Sequence, residues 1–197
     1  MKKIGIKNYA AFHHEDGHKP YVVVTDSAGK ETGIRITGYL TTWDEVNGNG
    51  QSWKSTAYDE NVRGYFEGNG LNIPLDVMHV RDLNHLVGVV ESCEKDDRGL
   101  LITAFVSSSA INYDSVKGLM DCGALQGFSN YGYLTDYDYE GNSLVVKSFT
   151  LISASLVDVP ADTGGKFIEN STEWKGFTDV EEKSQGAAPT NIYGISF

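Results

Sequence analysis

Two long runs of strand-forming residues, LQGFSNYGYLTDYDY (125–139) and NSLVVKSFTLISASLVD (142–158), meet at the turn signal YEGN (139–142). β-branched and aromatic side chains suit a pleated backbone, and the Gly-Asn step reverses it, so the pair predicts one long hairpin. A hairpin cannot bury a face by itself and needs further strands beside it. PYVVVTD (20–26), GIRITGYLT (33–41), HLVGVVESCEK (85–95) and GLLITAFV (99–106) supply them, the last two joined through the turn KDDRG (95–99). Helical spacing is confined to AYDENVRGYFEGNG (57–70), through Tyr58, Val62, Tyr65 and Phe66, and to SAINYDSVKGLMDCG (109–123). In the second segment Ile111, Val116, Leu119 and Met120 share one side, with Gly123 as the stop. The expected architecture is mainly β (α+β): a sheet or barrel of about six or seven strands carrying about two helices.

A chain of 197 residues, 40% of them hydrophobic, is long enough for one domain with its own core. The expected division is a globular domain over 1–170 and a weakly ordered, acidic tail over 171–197. A net charge of -11 argues against a nucleic-acid partner, because phosphate neutralisation requires clustered Lys and Arg. The basic start MKKIGIKNYAAFHHEDGH lacks the apolar run of a signal peptide, and no segment has the length of a membrane span, so the expectation is a soluble cytosolic protein without a membrane partner. Cys93 and Cys122 are too few for a disulfide framework and are expected as reduced core residues.

Few residues point to chemistry. HHEDGH (13–18) holds three of the five histidines together with carboxylates, but its spacing fits no defensible metal site and it reads as a solvated loop. TTWDEVNGNGQSWKST (41–56) is a Gly- and Asn-rich loop, long enough to be functional or mobile. His79 is delivered at the end of the apolar run IPLDVM, which should be a buried strand, so its ring is positioned by a core. Ser129 lies in GFSNYG, a G-x-S-x-x-G segment inside the aromatic strand. Alone, it reads as a hydroxyl at a bulge or close-packing point.

Five segments in order, GYLTTWDEVNGNG, IPLDVMHVRD, VGVVESCEKDDRGLLITAFV, GLMDCGALQGFSNYGY and LISASLVDVPAD, resemble the caudovirus prohead proteases. These are capsid-maturation serine proteases related to herpesvirus assemblins, and the resemblance covers about residues 33–165. By position, the family's histidine falls on His79 and its serine on Ser129, with His85 as a rival base set too close to Gly88. The resemblance implies a herpesvirus-protease-like β-barrel and a serine endopeptidase in which Ser129 attacks a peptide carbonyl while His79 takes and returns the proton. It implies no metal and no organic cofactor. Its substrates would be major capsid protein and scaffold segments, and the chain itself, inside the assembling procapsid in the host cytoplasm; a homo-oligomer is compatible with that role.

The third catalytic member departs from the pattern. Relatives carry an acidic residue or a histidine in a motif resembling E-x-S-L-V-x-x-P-A, where this chain has S-A-S-L-V-D-V-P-A, placing Ser153 at the acidic position. A hydroxyl can orient an imidazole but stabilises its cation less than a carboxylate does. Three readings stay open: a Ser129–His79–Ser153 relay, rescue by Asp76 or Asp158, and an inactive homologue serving as a capsid assembly or scaffold component. An unrelated β-sheet binding module, the remaining alternative, requires His79 and Ser129 to lie far apart.

Overall fold

The computed structural model describes residues 19–59, 73–162, 164 and 167. Among these, eight strands and one helix follow in order: β1 (Val22–Thr25), β2 (Glu31–Thr42), β3 (Gln51–Trp53), β4 (Ile73–Val77), β5 (Leu86–Lys95), β6 (Gly99–Ser107), α1 (Tyr113–Asp121), β7 (Gly127–Glu140) and β8 (Ser143–Val157). The architecture is mainly β, as expected. The extra strand is β3, inside the segment read as a loop; at three residues it is too short to show a period-two pattern, and its parallel pairing with β8 creates it.

All strands belong to one mixed sheet in the order β1-β2-β6-β5-β4-β8-β3, with β7 on the other edge of β8. Antiparallel pairing joins β1–β2, β2–β6, β6–β5, β5–β4 and β7–β8, whereas β4 and β3 run parallel to β8. The sheet curls until β7 meets β2, where Asn130 Nδ2 donates to Thr41 Oγ1 at 2.9 Å. Both expected turns are present. Asp96 Oδ1 accepts the N–H groups of Arg98 and Gly99 to shape the β5–β6 turn, and Gly141 takes φ +61 between β7 and β8.

Alternate residues of these strands fill the core, with Ile34, Ile36, Leu75, Val90, Ile102, Ala104, Val106, Phe128, Leu151 and Leu156 buried. Next to the site an aromatic group anchors the interior: Trp53 stacks on Tyr58 at 5.4 Å between ring centroids, and Phe149 meets both edge-on. The expected helix at 109–123 is α1, ended by Gly123 at φ +74, with Val116 and Met120 on its buried side. Lys117 and Tyr113 of α1 both reach the Glu31 carboxylate at the start of β2. The expected helix at 57–70 falls mostly outside the described residues, as do HHEDGH and the 171–197 tail. Cys93 is half-buried, and its burial pushes the thiol up to about 12. Cys122 corrects the expectation of a second core cysteine: it is exposed, because it follows the last turn of α1 rather than facing the sheet.

Candidate active site

Register assembles three of the site's side chains. Asp76 on β4 lies opposite Ser155 on β8, and Ser155 lies opposite Ser129 on β7, so the three form one row across adjacent strands. Residues directly opposite on paired strands project to the same face. The fourth comes from a turn rather than a strand. After Val77 the chain reverses through Met78 (φ +56) and His79 (φ +59), and Val80 N–H closes the turn on the Val77 carbonyl at 3.1 Å. Two consecutive left-handed residues define the type I′ geometry that glycine and asparagine normally occupy. A methionine and a histidine there cost about 1–3 kcal/mol each, so surrounding contacts must hold them. Met78 N–H donates to the Leu156 carbonyl at 2.9 Å, and Val77 N–H to the His85 carbonyl at 3.1 Å. The turn folds the imidazole back over β8.

His79 Nε2 lies 3.0 Å from Ser129 Oγ, and His79 Nδ1 lies 2.9 Å from Ser155 Oγ. Ser155 Oγ donates to Asp76 Oδ1 at 2.5 Å, and Ser153 Oγ donates to Asp76 Oδ2 at 3.0 Å. Proton counting then fixes the ring. A serine hydroxyl has one proton, and Ser155 spends it on the carboxylate, so its oxygen can only accept from Nδ1–H. Nε2 is left with its lone pair toward Ser129, whose hydroxyl donates to it. That is the tautomer a general base needs.

Asp76, Ser153 and Ser155 are all fully buried, whereas His79 is exposed and Ser129 half-buried. The carboxylate is therefore shielded, with each oxygen satisfied by a hydroxyl, while the reactive end opens to a partner. Two linked hydrogen bonds set Asp76 roughly 4–5 Å from the imidazole, where opposite unit charges attract by about 3–4 kcal/mol at an effective dielectric of ~20.

Beside Ser129 is a cavity of about 380 Å³, with Leu40, Trp53, Phe128 and Phe149 among its apolar lining and Asn49 and Gln51 among its polar one. The 41–56 segment forms one wall, held by Asn47 Oδ1 accepting from the N–H groups of Asn49 and Gln51 and by Gly48 N–H donating to the Ala161 carbonyl. Asp162 clamps the chain after β8 to β2 through Thr42 N–H and Thr42 Oγ1. Gly132 is needed for close approach: a Cβ there would sit 2.0 Å from the Thr150 carbonyl oxygen.

Of the expected site residues, His79 and Ser129 meet, which removes the reading that needed them apart. Ser153 does not reach the imidazole; it stands two residues along the same face and hydrogen-bonds Asp76. The hydroxyl on Nδ1 belongs to Ser155, and the nearby carboxylate is Asp76. Asp158 is exposed and bonds its neighbour's N–H, Val159, and His85 is engaged with Asp82 at 2.6 Å. Sequence reasoning passed over Ser155, although period two places Ser153 and Ser155 on one face, and an aspartate within the apolar run IPLDVM is itself a signal of a buried, partnered carboxylate.

No protein-family model matches the chain. Over 61 residues it is 38% identical to proteins named "Probable capsid maturation protease" of Lactococcus phage p2 and Lactococcus phage SK1, a stretch covering 30% of this chain and 34% of each relative. The chain thus spans about a third of the length of the curated relatives it matches. Its fold is similar to that of the bacteriophage T4 capsid assembly protease, gp21, at a TM-score of 0.54 and 17% identity, covering 71% of this chain and 93% of that one. It also aligns with the KSHV protease at a TM-score of 0.45 and 12% identity, over 71% of this chain and 65% of that one. The chain resembles phage capsid maturation proteases in sequence and the T4 capsid assembly protease in fold.

Proposed function

We propose that the protein is a serine endopeptidase of phage capsid maturation, with Ser129 as nucleophile, His79 as general base and acid, Ser155 as the residue that orients the imidazole and Asp76 as the charge behind it. The observation that carries this reading is the 3.0 Å contact between Ser129 Oγ and His79 Nε2, made at the edge of a cavity with the ring's other nitrogen already occupied. As Ser129 Oγ bonds to the peptide carbonyl carbon, its proton passes to Nε2. The imidazolium is stabilised through Ser155 by Asp76. Collapse of the tetrahedral intermediate breaks the C–N bond, and Nε2 returns the proton to the leaving amine. Water then repeats the sequence on the acyl-serine, releasing the carboxylic acid and restoring the hydroxyl.

The names of the curated relatives and the T4 likeness support capsid or scaffold segments as substrates and the interior of the assembling procapsid as the place of action. Self-cleavage belongs to the same reading. A test independent of substrate is covalent labelling with a fluorophosphonate, which reacts only with an activated serine. The wild-type chain is expected to gain one adduct mapped to Ser129, and His79→Ala and Ser129→Ala none. Co-expression with the capsid protein, followed by intact mass, then asks for cleavage in wild type alone. Labelling that is absent from wild type, or unchanged in His79→Ala, together with no cleavage, replaces this reading with that of an inactive assembly component.

A further inference from the structure

Beyond the site, β7 continues as an edge. Among the described residues β8 is its only ladder partner, and no backbone hydrogen bond reaches residues 133–140 from the side away from β8. An open edge of this kind is normally covered or blunted, because it presents a row of unpaired N–H and C=O groups. This one has register shifts at Leu134/Asp136 and Asp136/Tyr137 and acidic side chains along it, and it also displays aromatic side chains: Tyr133 is 57% exposed, Tyr139 71%, and Tyr137 lies edge-on against Tyr139 at 6.0 Å. Tyrosine supplies contact area at small entropic cost and is enriched in interfaces.

The charges around these rings select the occupant. Asp136, Asp138 and Glu140 lie along the same stretch; Lys147 pairs directly with Asp138 alone, while its charge also acts on Asp136 and Glu140 and that of Lys54 on Glu140. Among the described residues neither Asp136 nor Glu140 makes a direct salt bridge, and both carboxylates are exposed for a further cation. A second copy would bring a like-charged edge against this one, and the chain's own segment TDVEEK at 178–183 is acidic. Both are repelled, whereas the chain's basic start, MKKIGIK at 1–7, has the opposite charge. We propose that the outer half of β7, residues 133–140, is a docking edge for an extended, basic segment of a partner protein, which adds as a strand to the sheet. The tyrosines pack on its side chains, and Asp136 and Glu140 pair with its Lys or Arg. Tyr133 is four residues from Ser129 on the same strand, about 13 Å at the rise of a strand, so a docked segment is held beside the site.

The docking edge does not depend on the chemistry of Ser129, and its test reads binding only. The Ser129→Ala chain is titrated with a short alternating Lys-Val peptide and with its Glu-Val counterpart, following backbone amides by NMR. The Lys-Val peptide is expected to shift and protect amides within 133–140, to weaken as salt is raised, and to lose about tenfold in affinity in Tyr137→Ser/Tyr139→Ser. Asp136→Asn/Glu140→Gln is expected to lose the salt dependence while keeping the fold, since both side chains are exposed. Equal binding of the Glu-Val peptide, shifts confined to other strands, no binding by either peptide, self-association of the free chain through this edge, or occupation of the edge by the chain's own basic start, residues 1–7, would each overturn the proposal.

Discussion

Replacing Asp76 with asparagine tests the relay at its buried end. The side chain keeps its shape, but one oxygen becomes an NH₂ group, and the consequences follow from the two serines it serves. With the amide oxygen toward Ser155, the hydroxyl still donates to it and Nδ1–H stays in place, but the negative charge behind the imidazolium is gone. The missing attraction is about 3–4 kcal/mol at an effective dielectric of ~20, which corresponds to a rate loss of about 10²–10³. With the NH₂ toward Ser155, the serine accepts from it and turns its proton to Nδ1. His79 is then held with its proton on Nε2 and cannot accept from Ser129, and the loss approaches ~10⁴, the size known for the equivalent tautomer error in a serine protease triad. The expected fall in kcat therefore lies between about 10² and 10⁴. Stability should move the other way or hardly at all, because removing a buried charge lifts a desolvation cost. Peptide hydrolysis and thermal unfolding of Asp76→Asn beside wild type measure both. Activity within about threefold of wild type would refute the relay, and a collapsed Tm with proportional activity loss would show Asp76 to be structural only.

Three further outcomes follow from particular positions. Met78→Gly removes a side chain that is 45% exposed from a left-handed position, and should raise stability by about 1 kcal/mol in urea unfolding, because relief of the φ strain outweighs the packing of a half-exposed thioether. Gly88→Ala would set a Cβ 1.8 Å from the Phe105 carbonyl oxygen, a side-chain atom against fixed backbone at the β5–β6 pairing, and should cost about 3 kcal/mol or more by the same assay. The Glu31 carboxyl is held below the usual glutamate range by the Lys117 ammonium and the Tyr113 hydroxyl. A carboxyl with a lowered folded-state pKa contributes stability above its unfolded value, near 4.3, and loses it as pH falls through the folded one. The stability gap between wild type and Glu31→Gln should therefore narrow as pH drops below about 4.3, and a gap independent of pH would remove Glu31 from the β2–α1 contact.

Most of the architecture could be read along the chain. Period-two patterning, the apolar run IPLDVM, the Gly-containing turns and the Gly123 stop are local, and local steric and hydrophobic rules are enough to read β1, β2, β4 to β8 and α1. Strand β3 was illegible because a three-residue segment carries no period; the β8 edge beside it makes it a strand. The pair His79 and Ser129 was found through ordered resemblance across the chain, since neither residue's immediate surroundings distinguish it from a structural one.

The remainder of the site was decided in three dimensions. Alternation alone placed Ser153 and Ser155 on one face, yet which of them meets the imidazole depends on the pairing register of β4 and β7 against β8 and on a left-handed turn at Met78–His79. Register is a relation between strands distant in sequence, so a shift of two residues would exchange the two serines without changing a letter of the chain. Local patterns along the chain were enough for the sheet, its turns and the residue types available for proton transfer. Long-range strand pairing selected which hydroxyl orients the ring and where the buried carboxylate stands, because hydrogen-bond geometry is fixed to tenths of an ångström only after the strands have chosen their neighbours.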